Sequence, residues 1–193
     1  MEKEKISEKT SRELGRQVVH ASLGVLLIIL LFFVGRGHLI AVLSAILLIG
    51  SLIINWKILG SKIFFADWFE RKFERNIARF PGYGSAWYIA GALMLAIFLK
   101  EPNEIAAGIF MLGVGDAAST VFGMRGSHRI PYNAHKTIEG SIAFFIFSLP
   151  AWFFIGWLAV PLAFLAAIAE SLPLHFDDNV VVPAVAVLFF YLI

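Results

Sequence analysis

From residue 18 onward the chain is built mainly of apolar runs long enough to cross a lipid bilayer, and this limits its folds more than any other feature. Inside hydrocarbon every backbone amide and carbonyl must be satisfied by the protein itself, so only helices and closed barrels span a membrane. The runs are of helical length, not the short alternating segments of a barrel. They cover about residues 18–34, 39–54, 85–99, a stretch beginning after Lys100-Glu101-Pro102-Asn103 and ending near Gly123, 142–169, and 180–193. Gly35-Arg36-Gly37 reads as a tight turn between the first two runs, and Pro81-Gly82-Tyr83-Gly84 as a turn before the third. The run 142–169 is broken by Pro150, Gly156 and Pro161, and we read it as two short helices parting near Gly156. The last run is short for a crossing and fits a tilted helix or a locally thinned bilayer. The fold expected is all-α, a polytopic membrane helix bundle of about seven transmembrane helices.

Residues 1–17 are charged and suit a cytoplasmic N-terminal tail or helix, leaving 18–193 as a single membrane-embedded domain. The first run follows this long lead-in, has no small-residue cleavage pattern and meets a second run at once, so it reads as a span and not a signal peptide. Between 57 and 80, Phe65, Trp68, Phe69, Phe73, Ile77 and Phe80 recur at helical spacing opposite Asp67, Glu70, Arg71, Lys72, Glu74 and Arg75. An amphipathic helix is expected there, lying in the membrane interface or packed on the protein's own cytoplasmic face.

Composition agrees: 59% of residues are hydrophobic and 16% charged, with a mean hydropathy of +0.80. The net charge of +2 and pI near 9.0 come from Lys and Arg in loops, where the positive-inside rule accounts for them and no nucleic-acid partner is needed. Cysteine is absent, which excludes disulfides, a thiolate nucleophile and Cys-ligated metal. With seven spans, the basic residues of the tail, of 57–80 and of 123–137 share one side, against Arg36 and Lys100 on the other. That bias puts the N-terminus and the polar loops in the cytoplasm. A single helix over 142–169 would move the 170–179 loop to the far side.

The polar residues gather in two places. Asp116 lies inside an apolar run, where an ionised carboxylate is costly unless it meets a cavity, a cation or a metal. Thr120 and Gly123 share its helical face. The loop that follows carries Arg125, Arg129, His135 and Lys136 to the start of the next helix, where free amides and the helix dipole favour an anion. Thr137 is a candidate cap for that helix, and Lys136 a point charge for a phosphate. This is not a Walker A loop, because no glycine precedes the lysine. The second cluster runs from Glu170 to Asp177-Asp178-Asn179, oxygen donors suited to Mg²⁺, one of which is expected to cap the last helix. Acids for a metal and bases for phosphates beside a lipid-facing body suit phosphoryl or nucleotidyl transfer to a lipid.

Arg16-x-x-x-His20-x-x-x-Gly24, Gly115-Asp116-Ala117-Ala118-Ser119 with Gly123, Lys136-Thr137-Ile138-Glu139-Gly140-Ser141, and Glu170 through Asp177-Asp178-Asn179 with Pro183 together resemble the polyprenol kinase family. That family includes dolichol kinase, phytol kinase and the CTP-dependent diacylglycerol kinase of yeast. The resemblance implies a multi-pass enzyme that moves the γ-phosphate of CTP, with Mg²⁺, onto a membrane lipid alcohol. It implies Asp116, Asp177 and Asp178 as metal ligands, and Arg125, Arg129, His135, Lys136, Thr137 and Ser141 on the nucleotide. Glu139 or Glu170 would position or deprotonate the lipid hydroxyl, and His20 would complete the pocket. A CTP:phosphatidate cytidylyltransferase is the alternative, but its closing His-Gly-Gly and Asp-Arg-x-Asp pattern is missing. A transporter or scaffold would explain the spans without explaining acids and bases gathered on one side. With no eukaryotic address visible, a prokaryotic plasma membrane is expected.

Overall fold

The structure is a computed structural model and describes residues 2–64, 67, 68, 80–174 and 176–193. Helix α1 (Glu2–Ile58) begins in the charged lead-in and runs unbroken into the apolar stretch, so residues 2–17 form its opening turns. At Gly35 the backbone takes φ 81°, ψ 165°, a region open to a residue without Cβ, and the helix folds back there. Arg36 then caps the far end of α2 (Tyr83–Phe98), donating from Nε to Ala96 O at 2.8 Å and from Nη2 to Ile97 O at 2.9 Å. Ile54 packs against Gly82 at the other end of α2, so the second arm of α1, residues 36–58, runs antiparallel to α2.

Helix α3 (Pro102–Gly123) starts with proline in its first turn, where no amide is needed. Its middle is a π turn, Met111–Gly115, directly before Asp116, which the apolar pattern did not reveal. The bundle is all-α as expected, and after α3 it carries one small antiparallel hairpin, β1 (Arg129–Ile130) and β2 (Asn133–Thr137). Helix α4 (Ile138–Ser148) follows at once, so Lys136 sits on a strand and not, as expected, on the opening turn of a helix.

Through a 3₁₀ turn and one further helical turn the chain reaches Gly156, at φ 58°, ψ −140°. There it reverses into α5 (Ala159–Ser171). Phe145 and Phe164 lie with ring centroids 6.4 Å apart and Trp152 and Trp157 3.9 Å apart, which makes α4 and α5 an antiparallel hairpin, as the two-helix reading required. Helix α6 (Asp178–Leu192) closes the bundle.

Among the described residues three stretches are long and apolar enough to cross a membrane, Thr10–Ile58, Pro102–Gly123 and Ile138–Ser171. The first and third are the two folded at Gly35 and Gly156. Large apolar side chains cover the outside, Phe33 at 85% and Phe153 at 88% exposure, an arrangement stable in lipid and not in water. Inside, small residues let helices approach. A Cβ on Gly24 would lie 3.2 Å from the Gly113 Cα, and one on Gly140 3.3 Å from the Gly123 Cα. The amphipathic helix expected to start at 57 does not start there: Lys57 lies in the last turn of α1 and 59–63 form a turn and an irregular stretch, while 65, 66 and 69–79 lie outside the described residues; Lys57 Nζ meets Asp67 Oδ1 at 2.7 Å.

Candidate active site

The π turn sets the first wall of the site. The Asp116 amide reaches back to Met111 O, so the carbonyl of Leu112 loses its usual helical donor. His20, from the first arm of α1, takes it: Nε2 lies 3.1 Å from Leu112 O and 3.4 Å from Asp116 Oδ2. A carbonyl oxygen only accepts, so Nε2 carries the proton in this contact. Tyr88 of α2 packs on the imidazole with centroids 4.2 Å apart, and its hydroxyl donates to His20 O at 3.2 Å.

Ser119 lies one turn beyond Asp116 on the same face, and donates to Glu170 Oε1 at 2.9 Å. Glu170, in the last turn of α5, is 1% exposed. Lys136 from β2 pairs with the same Glu170 oxygen and with Asp178 Oδ2 at 2.7 Å. Oxygens of Asp116, Glu170 and Asp178 all come within 4.8 Å of one another. Three carboxylates against one ammonium leave a formal charge of −2, and at this spacing each ionised pair repels by about 3 kcal/mol. Glu170 Oε2 has no hydrogen-bond partner among the described residues. A buried carboxylate oxygen with no partner among the described residues, inside such a cluster, is the kind of group that could hold a hard divalent cation.

The hairpin delivers Lys136. Asn133 Nδ2 donates to Ser171 O at 3.0 Å, and the Tyr132 hydroxyl meets Ser171 Oγ at 2.8 Å. Both contacts tie the turn to the C-terminal end of α5, where helix carbonyls lack partners. Burial pulls the Lys136 ammonium toward release of its proton, but the charges of Glu170 and Asp178 and the hydrogen bonds to them outweigh this, and its pKa lies above the usual lysine range.

The other expected residues divide. Thr137 caps α4 as anticipated, its Oγ1 accepting from Gly140 N at 3.2 Å. Asp177 is the cap of α6, accepting from Asn179 N at 3.1 Å, and Glu170 stands with Asp116 and Asp178 in the cluster where Asp177 was expected. Glu139 Oε1 accepts from Ser127 N at 2.9 Å and contacts His128 Nδ1 at 2.8 Å, which fixes the loop carrying Arg125. Arg125, Arg129 and His135 are exposed around the hairpin. Ser141 Oγ is buried without a partner among the described residues. Ser119 could have been read from its spacing to Asp116; Tyr88 and Asn133 carry no local signal, since only the packing brings them here.

No family model matches the chain, and no solved structure matches it. Over 105 residues it is 34% identical to an uncharacterized protein of Methanocaldococcus jannaschii, covering 53% of this chain and 54% of that one. It is 29% identical to a probable chloroplastic phytol kinase of Glycine max, over 92% of this chain and 62% of the relative. It is 30% identical to chloroplastic phytol kinase 1 of Arabidopsis thaliana, over 56% of this chain and 43% of the relative. The chain thus spans about half the length of these curated relatives, and its similarity to proteins named phytol kinase is distant but extends over most of its own length.

Proposed function

We propose that the protein is a lipid-alcohol kinase, transferring the γ-phosphate of a nucleoside triphosphate to the hydroxyl of a membrane lipid. The observation that carries this reading is the convergence of Asp116, Glu170 and Asp178 from three helices, with Lys136 among them, at one end of an apolar bundle. Distant similarity to phytol kinases supports it. CTP as donor rests on the motif resemblance, whereas seven crossings with the N-terminus and site facing the cytoplasm rest on the apolar run lengths and the bias of basic residues.

Asp116, Glu170 and Asp178 would hold Mg²⁺, which neutralises charge on the triphosphate when bound. Arg125, Arg129 and His135, exposed around the hairpin, would attract the phosphates. The acceptor oxygen forms a bond to the γ-phosphorus, the bond from that phosphorus to the β–γ bridging oxygen breaks, and the nucleoside diphosphate leaves. The hydroxyl proton goes to a carboxylate. Glu139 has its oxygens committed to the Ser127–His128 backbone, and Glu170 Oε2 takes the proton only where Asp116 and Asp178 hold the cation without it.

Purified protein with Mg²⁺ and mixed lipid alcohols and phosphatidate would receive CTP labelled on either the γ- or the α-phosphate, beside Asp116→Asn. Label entering lipid from the γ position, absent in the variant, is the expected result, and the labelled species names the alcohol. Label entering only from the α position would make the protein a cytidylyltransferase. Excess unlabelled ATP against labelled CTP reads the choice of nucleotide.

A further inference from the structure

We infer that His20 is a positioning residue whose Nε2–H, shared between Leu112 O and Asp116, locks the π turn of α3 and aims the Asp116 carboxylate into the Glu170–Asp178 cluster. The inference rests on the divalent-cation reading of that cluster and not on the lipid acceptor. Its ground is geometric. The π turn directs the Asp116 amide to Met111 O, and the buried Leu112 backbone acquires its donor from another helix, 92 residues earlier in sequence, at 3.1 Å. The same nitrogen stands 3.4 Å from Asp116 Oδ2, so one N–H holds both the backbone distortion and the side chain that follows it.

The surroundings are shaped for this contact. Gly24 and Gly113 let α1 and α3 cross closely: a Cβ at position 24 would stand 3.0 Å from Tyr88 Oη, and one at 113 would stand 3.2 Å from it. Tyr88 packs its ring on the imidazole at 4.2 Å between centroids, tilted by 56°, and its hydroxyl donates to the His20 carbonyl at 3.2 Å. A histidine serving only to fill space would need neither contact. Groups that orient metal ligands from behind typically change metal affinity by about 10- to 100-fold when lost.

The test uses Mn²⁺ binding, read by electron paramagnetic resonance on the purified full chain in detergent, with thermal melting of the metal-free protein alongside. His20→Phe and His20→Leu should weaken Mn²⁺ binding by about 10- to 100-fold. His20→Gln, which keeps an N–H donor near the same point, should recover most of it, with melting temperatures that do not follow the affinities. Wild-type affinity in both apolar variants overturns the inference, as does a glutamine variant as weak as leucine. If a variant fails to fold, the remaining apolar variant and the glutamine decide. Wild type that binds no Mn²⁺ overturns the metal reading as well, whereas wild-type binding lost in Asp116→Asn but kept in His20→Leu overturns only the role of His20.

Discussion

Replacing Lys136 with methionine removes the cation from the acidic cluster while keeping most of the side chain's volume. Removing one partner of a buried pair leaves the other uncompensated and costs about 3 to 5 kcal/mol. Glu170 is 1% exposed and supplies most of that cost, whereas Asp178, at 36%, is screened by solvent and adds little. Protonation of Glu170 would cap the penalty, so the low end, about 3 kcal/mol, is expected. For a chain of this size that lowers the melting temperature by about 6 to 12 °C. Because the cluster has a formal charge of −3 once Lys136 is gone, a divalent cation should return most of the loss, and should stabilise the variant more than the wild type. The assay is thermal unfolding in detergent with chelator and with excess Mg²⁺. A Lys136→Met protein that melts within about 1 °C of wild type without metal would refute the reasoning, and so would one that Mg²⁺ does not stabilise. The sign of the pH dependence follows from the raised pKa of Lys136. Its contribution is fully present below the ordinary value of 10.5 and is lost only as pH rises through the higher folded value. The gap between wild type and variant should therefore not shrink from loss of the Lys136 proton between about pH 6 and about pH 9.

Asp177→Ala should cost about 1 kcal/mol through the lost cap of α6 and leave Mn²⁺ affinity intact, whereas Asp178→Ala should weaken Mn²⁺ binding at least tenfold; equal effects on binding would mean that both carboxylates ligate. Gly113→Ala places a methyl 3.2 Å from the Gly24 Cα and should destabilise the bundle by about 1 to 3 kcal/mol, a change that thermal melting detects directly. Asn133→Ala leaves Ser171 O without its donor and should lower stability by about 1 to 2 kcal/mol, which thermal melting reads; unchanged stability would separate the hairpin from the site.

Much of the architecture was legible before any coordinates. Apolar run length demands spanning helices because lipid offers the backbone no hydrogen bonds, and the glycines at 35 and 156 mark the reversals because φ near 81° and 58° suits a residue without Cβ. Asp116 was legible too, since a carboxylate in an apolar run requires a reason, and so was the capping threonine before α4. The composition of the cluster was not. Asp177 and Asp178 are adjacent and chemically alike, and only the first turn of α6 decides that one caps the helix and the other faces Glu170. Lys136 read as a phosphate ligand because it precedes a helix; the hairpin, whose strands are too short to leave an alternating pattern, turns it toward two acids instead. The π turn, Tyr88 and the bond from His20 to Leu112 depend on helices that meet across long sequence separations. Sequence determines which segments enter the membrane because that depends on local transfer energy, whereas the site depends on which helix ends converge, and packing alone determines that.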